Sequence, residues 1–176
     1  SGKRMNSKVH KQYLIIQDRP VLYYSLKAFE DSAVDEIVLV VGKGEEKFCR
    51  KEIVDKYGIS KVKAIVEGGK ERYHSVFEGL KQTSDADYVL IHDGARPFVN
   101  QDIIRRCMQE VQKYQACVVG MPVKDTIKIA DEEGYAKQTP DRKNVWMIQT
   151  PQTFSYALIY EAYEEMLKTE DTAITD

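Results

Sequence analysis

Tyr88-Val-Leu-Ile-His92-Asp93-Gly94-Ala95-Arg96-Pro97 is the stretch whose reading decides the fold: an apolar run that ends abruptly in a carboxylate, a glycine, an arginine and a proline. The continuous apolar character of residues 89–91 predicts a strand covered on both faces. In an open α/β sheet, the carboxyl end of such a strand is where ligands sit. Asp93 and Arg96 at the tip therefore either tie down a loop as a turn-stabilising pair or hold something charged.

Working outward, apolar runs at 37–41, 62–66 and 117–123 also read as strands. Stretches with helical spacing lie between them. Residues 20–29 follow Asp18 with Pro20 suited to a first helical turn. Residues 45–57 end at Gly58, a helix stop. Residues 71–82 place Tyr73, Val76, Phe77 and Leu80 on one face, and residues 102–114 do the same with Ile103, Ile104, Cys107 and Val111. A last helix covers 156–167. Strands alternating with helices of this length predict βαβ units, hence an α/β, Rossmann-like, mainly parallel sheet.

The segment from Thr126 to Phe154 breaks the pattern. Residues 126–130 alternate, Asp131-Glu-Glu-Gly134 reads as a turn, and the chain then stays polar with intermittent β-formers. The expectation is a β-arm over 122–150 protruding from a single domain. Val145, Trp146 and Ile148 on such an arm need cover, from the domain itself or from a partner subunit, and pattern alone supports both. At the ends, the pattern predicts a strand ahead of Ser1 and a closing element beyond Asp176.

The bulk composition narrows the function classes. With 176 residues, 43% hydrophobic and 31% charged, the chain is an ordinary globular domain with a proper core. Lys+Arg of 26 against Asp+Glu of 28 gives no global attraction to nucleic acid or to an anionic membrane. No apolar stretch approaches the ~20 residues that span a bilayer. Cys49, Cys107 and Cys117 are scattered, which points to a reducing cytoplasm rather than a disulfide framework or zinc site. His10, His74 and His92 are equally dispersed.

Four polar clusters could carry chemistry. Ser1-Gly2-Lys3-Arg4-Met5, with Lys8 and Lys11-Gln12, sets four cations and a glycine before the first apolar helix. Glycine lets backbone amides approach phosphate oxygens while Lys and Arg neutralise them; the plain alternative is a solvated basic terminus. Glu67-Gly68-Gly69-Lys70-Glu71-Arg72-Tyr73-His74-Ser75 is a strand-to-helix turn. The glycines would let a flat base lie on the backbone and the helix N-terminus would meet polar edges; the plain alternative is a simple βα turn. Asp93 at its strand tip suits Mg²⁺ held with phosphate oxygens, since Mg²⁺ takes only one or two carboxylates. The fourth cluster, on the arm, is Pro122-Val-Lys124-Asp125-Thr126, Pro140-Asp141-Arg142 and Gln149-Thr150-Pro151-Gln152-Thr153-Phe154. It offers Arg142 and threonines to a second phosphate, or is ordinary surface.

These same residues resemble a known family. Gly2-Lys-Arg-Met5 with Lys11-Gln-Tyr-Leu14, the GGKERYHSV run, HDGARPF, PVKDTIK and QTPQTF are similar, in order and spacing over the whole chain, to the 2-C-methyl-D-erythritol 4-phosphate cytidylyltransferases of the non-mevalonate isoprenoid route. Ribitol-5-phosphate cytidylyltransferases share part of the pattern. The resemblance implies transfer of CMP from CTP to the sugar phosphate with release of pyrophosphate. It implies Arg4 and Lys11 as catalytic groups, and Gly2, Lys3, Gly68, Gly69, Ser75, Asp93 and Ala95 around CTP. It further implies Mg²⁺ at Asp93, and Thr126, Arg142, Thr150 and Thr175 positioning the acceptor. The arm would cross to the other subunit of a homodimer. His10, just before Lys11, stands where relatives often carry Pro or Asn. The other classes left open are a non-catalytic nucleotide-binding or dimerisation module and a dinucleotide-dependent dehydrogenase; the latter lacks a G-x-G-x-x-G after a first strand.

Overall fold

A computed structural model describes residues 10–169. After a 3₁₀ turn at Lys11–Tyr13, β1 (Ile15–Ile16) and β2 (Arg19–Pro20) form a small antiparallel hairpin. Its two-residue turn, Gln17-Asp18, has φ of 48° and 67°, the left-handed pair that matches the twist of a tight hairpin. Then come α1 (Val21–Glu30), β3 (Ile37–Val41) and α2 (Glu46–Cys49), which continues into a π-helical segment, Arg50–Asp55. Gly58, at φ 63°, follows the end of that helical stretch where the sequence predicts a stop. β4 (Val62–Glu67), α3 (Arg72–Leu80), β5 (Tyr88–Ile91), α4 (Gln101–Tyr114) and β6 (Ala116–Pro122) complete the alternating part. The arm holds β7 (Ile129–Ala130), β8 (Ala136–Gln138) and a 3₁₀ turn at Arg142–Asn144, and the described chain closes with β9 (Trp146–Ser155) and α5 (Tyr156–Thr169).

β3 and β4 pair in parallel, Val38 opposite Ala64 and Val41 opposite Glu67. β9 lies between β5 and β6 and runs antiparallel to both. β5 and β6 therefore point the same way, as expected of strands joined by α4. What the sequence does not announce is the antiparallel strand between them. Its second half, Gln149-Thr-Pro-Gln-Thr-Phe154, has little apolar signal and a proline that argues against an inner strand. The register explains how proline is accommodated. β5 pairs with β9 only as far as Ile91 opposite Gln152. The β6–β9 ladder slips between Val118 and Gly120, the latter opposite Ile148. Pro151 thus falls where one ladder has ended and the other is irregular, so its missing N–H breaks no regular pair.

Two apolar clusters hold the helices down. Leu22, Tyr23 and Leu26 of α1 pack with Leu39 and Val41 of β3, and with Cys49, Ile53 and Val54. One turn further along α1, Phe29 packs with Val99 and Ile104. α1 therefore links the β3–β4 pair to the β5–α4 unit. α4 begins with Asn100 Oδ1 accepting the Ile103 amide at 2.9 Å, an N-cap. It buries Ile104, Cys107 and Val111 at helical spacing and ends with Gln115 in the left-handed conformation. Full burial of Ile104 contributes about 1.5–3 kcal/mol. On α3, Phe77 meets Tyr160 of α5 at a tilt, ring centroids 5.4 Å apart, and stacks on Tyr163 at 6.0 Å. Among the described residues, no helix is long and apolar enough to cross a membrane.

Candidate active site

The loop that leaves β5 is fixed from three directions. Ser25 of α1 donates its hydroxyl to the carbonyls of Gly94 and Arg96 at 3.1 and 3.3 Å. The Arg96 amide closes a turn on the Asp93 carbonyl at 2.9 Å. From β9, Thr150 Oγ1 accepts the Asp93 amide at 3.2 Å and meets His92 Nδ1 at 3.0 Å. His92 Nε2 faces the Arg96 carbonyl at 3.1 Å. A carbonyl only accepts, so Nε2 carries the proton and the Thr150 hydroxyl donates to Nδ1. Burial holds the His92 imidazole below its ordinary value, against the Arg96 carbonyl and the Asp93 charge, which favour the cation. The ring is therefore neutral around pH 7, and Thr150 is oriented as both acceptor and donor.

Asp93 is the electrostatic centre of the loop. Oδ2 accepts from Arg96 Nε at 2.9 Å and Oδ1 from Arg72 Nε at 3.3 Å. Burial by itself would raise this carboxyl; the Arg96 hydrogen bond and the Arg72 charge outweigh it and hold it below the usual carboxylate range. The Arg96 bond is the turn-stabilising pair that the sequence allows. The Arg72 bond is not visible in the sequence: Arg72 opens α3, twenty-one positions earlier, and its Nη2 also reaches Gln152 Oε1 of β9 at 3.3 Å. One guanidinium thus ties together three elements, the start of α3, the tip of β5 and the middle of β9.

Through Arg72 the Gly-Gly turn joins the same site. Gly68 continues β4, its amide bonded to the Val41 carbonyl at 2.8 Å. A Cβ on Gly68 would lie 2.6 Å from Ser75 Oγ, and one on Gly69 would lie 2.3 Å from the His74 Cβ. Glycine at both positions is a steric requirement of the turn folding onto the first turn of α3. Glu71 is the residue before α3 rather than within its first turn, and its amide bonds back to His74 Nδ1 at 3.4 Å. Ser75 Oγ donates to the Glu71 carbonyl at 3.2 Å.

Of the residues singled out by sequence, Gly68, Gly69, Asp93, Ala95 and Thr150 lie on loops and strands, and Ser75 on the first turns of α3, which Arg72, Thr150 and Ser25 connect directly. Lys11 sits on the exposed 3₁₀ turn before β1 and forms no ion pair among the described residues. Thr126 and Arg142 are exposed on the arm, Arg142 Nη1 donating to the Lys124 carbonyl at 2.8 Å. No hydrogen bond or ion pair joins either to the Asp93 cluster among the described residues. Gly2, Lys3, Arg4 and Thr175 lie outside the described residues. Sequence reasoning missed Arg72, Gln152 and the His92–Thr150 bond. Arg72 and Gln152 belong to motifs that were recognised, but nothing local distinguishes a surface side chain from one that crosses to another element.

The donor set is compatible with a magnesium ion shared with phosphate oxygens. Asp93 is one carboxylate with lone pairs beyond those its two arginines use, and Mg²⁺ keeps most of its shell for water and phosphate. Among the described residues no group of three or more His, Cys, Asp or Glu gathers as a self-sufficient metal cage.

Comparison with known proteins gives the site its context. The family model for 2-C-methyl-D-erythritol 4-phosphate cytidylyltransferase matches residues 1–176. A protein of that description from Lachnoclostridium phytofermentans is 50% identical over 175 residues, covering 99% of this chain and 75% of the relative. One from Lachnospira eligens is 54% identical over 167 residues, covering 94% and 73%. Among solved structures, 4-diphosphocytidyl-2C-methyl-D-erythritol synthase from Anaerococcus prevotii superposes with a TM-score of 0.84 at 36% identity, over 94% of this chain and 72% of that one. The Thermus thermophilus cytidylyltransferase superposes at 0.76 with 32% identity, over 94% and 75%. The α/β fold expected from the strand and helix pattern is that of these neighbours. Matched by the family model over residues 1–176 and 50% identical to such a relative, the chain belongs to the 2-C-methyl-D-erythritol 4-phosphate cytidylyltransferase family.

Proposed function

We propose that this chain transfers CMP from CTP to 2-C-methyl-D-erythritol 4-phosphate, giving 4-diphosphocytidyl-2-C-methyl-D-erythritol and pyrophosphate, a step of isoprenoid precursor synthesis. A phosphate oxygen of the acceptor attacks the α-phosphorus of CTP in line. The new P–O bond forms as the bond to the β-phosphate bridging oxygen breaks, and pyrophosphate leaves with that electron pair. Such a transfer asks the protein for alignment and charge neutralisation rather than a covalent intermediate.

The observation that carries this reading is the Arg72–Asp93 bond, which holds the Gly-Gly helix start against the β5 tip in a chain matched to the family from end to end. Gly68, Gly69 and Ser75 offer the base a flat backbone and polar edges. Gly2, Lys3 and Ala95 complete the nucleotide's surroundings, and Arg4 and Lys11 neutralise the transferring phosphoryl group. Asp93 would hold Mg²⁺, which when bound would offset charge on the triphosphate. Thr126, Arg142 and Thr175 grip the acceptor, while Thr150 sets the loop beneath it.

The arm is read as a dimer element. Trp146, Met147 and Ile148 are 55%, 47% and 53% exposed, with Met121 beside them at 41%, a contiguous apolar stretch that a second copy would cover. Free thiols at Cys49, Cys107 and Cys117 suit the cytoplasm. The direct test is pyrophosphate release with CTP and Mg²⁺, run with methylerythritol phosphate and with ribitol 5-phosphate in parallel. Release with the first acceptor is expected. Preference for the second would reassign the substrate, and silence with both, where a relative turns over, would sink the reading.

A further inference from the structure

The turn that carries Lys11 is fastened by a single carboxylate from another element. Glu45, at the end of the loop after β3, divides its oxygens. Oε1 lies 2.9 Å from His10 Nδ1. Oε2 accepts the Tyr13 hydroxyl at 2.7 Å and the Gly42 amide at 3.0 Å. His10 and Tyr13 bracket Lys11 and Gln12, and the Tyr13 amide closes the turn on the His10 carbonyl at 2.9 Å. Both ends of the lysine-bearing turn are therefore anchored on the same side chain.

The anchor has the marks of a built arrangement. A Cβ on Gly42 would lie 2.9 Å from Glu45 Oε2, so the carboxylate reaches its place only over a glycine. Cys49 Sγ lies 3.0 Å from the Tyr13 hydroxyl, and Phe48 meets the Tyr13 ring edge-on at 5.2 Å. Burial, with the hydrogen bonds to Cys49 and Glu45, pushes the Tyr13 phenol well above its ordinary value, so it stays a donor at any working pH. Lys11, by contrast, is exposed. His10 and Tyr13 on either side are tied down, while the Lys11 ammonium has no ion-pair partner among the described residues.

We propose that Glu45, acting through Tyr13 and His10, is a positioning residue that fixes the Lys11 turn so that the ammonium meets the transferring phosphoryl group. This rests on the reading of Lys11 given above. A lysine is a flexible point charge, and a misplacement of about 1 Å costs up to ~100-fold in rate. The loss falls on kcat rather than on CTP binding, because the interaction strengthens as charge develops in the transition state.

The test is a double-mutant cycle read by steady-state kinetics, with CTP and methylerythritol phosphate varied separately. Glu45→Ala should lower kcat about ten-fold or more while KM for CTP stays within about two-fold. Glu45→Gln, which keeps an oxygen for Tyr13 and Gly42, should recover most of that loss. On a Lys11→Ala background, Glu45→Ala should cost nothing further, since it acts through the lysine. Full additivity of the two, or a Glu45→Ala kcat within about two-fold of wild type, would overturn the proposal. If Glu45→Ala does not fold, Tyr13→Phe runs the same cycle with the carboxylate in place. A wild-type kcat for Lys11→Ala would remove the lysine's own role and the proposal with it, whereas an inactive wild type would fail the functional reading instead.

Discussion

Thr150 Oγ1 lies 3.0 Å from His92 Nδ1 and accepts the Asp93 amide at 3.2 Å, so one hydroxyl on β9 holds both the histidine ring and the start of the loop that leaves β5. The folded imidazole titrates below its ordinary 6.5. The unfolded chain therefore binds a proton first as pH falls. His92 contributes stability in full above about pH 6.5, and that contribution is lost as pH drops through the folded-state value. Denaturant titrations from about pH 8 to about pH 5 should show wild type losing stability relative to His92→Gln. A gap that does not change with pH would refute this.

Arg72→Ala removes the bridge between α3, β5 and β9. Asp93 then keeps Arg96 alone, and its carboxyl should return toward 3.8. The acid-side stability it contributes, present above that value and lost as pH falls through the lowered one, should shrink. CTP affinity should drop about ten-fold, the equivalent of ~1.4 kcal/mol. Arg72→Lys should not restore it, because a single ammonium nitrogen replaces the two separate guanidinium nitrogens, Nε and Nη2, that reach Asp93 and Gln152. Calorimetric titration with CTP measures both variants, and undiminished binding in Arg72→Ala would contradict the bridge's role.

Gly68→Ala tests the steric reading of the glycine turn. The new methyl would lie 2.6 Å from Ser75 Oγ and 3.2 Å from Val40 Cγ1, an overpacking that costs about 1–3 kcal/mol. Adding Ser75→Ala should return part of the lost thermal stability without returning CTP affinity, since the hydroxyl proposed to read cytosine is gone. Recovery of both together would show that Ser75 only fills space.

Arg142→Ala should raise KM for the sugar phosphate and leave CTP binding intact. If the arm reaches across a dimer, mixing Lys11→Ala and Arg142→Ala chains should rebuild one whole site in each mixed dimer. At acceptor concentrations well below the raised KM, where each variant alone is nearly inactive, about a quarter of wild-type activity should return in an equal mixture of the two. Activity that stays at the level of the separate variants would place Arg142 in its own chain's site or in none.

The sequence by itself determined the alternation of elements and the chemistry at their ends. Apolar runs at β3, β4 and β5 and helical faces on α3 and α4 are period signals, written in neighbouring residues by the geometry of strand and helix. The turns at Gly68–Gly69 and after Asp93 were legible because glycine and short polar residues directly behind an apolar run mark the end of a strand. What only the tertiary structure decided are the pairings between distant positions. β9 enters as an inner antiparallel strand because β5 stops at Ile91 and the β6 ladder slips near Pro151, neither of which is a property of β9's own residues. Likewise Arg72 finds Asp93, Thr150 finds His92, and Glu45 finds Tyr13 in the turn bearing Lys11, across separations of 21, 58 and 32 residues. A side chain's composition says what it can bond, but its partner is whichever group the packed layers bring within about 3 Å, and that distance exists only in the folded chain.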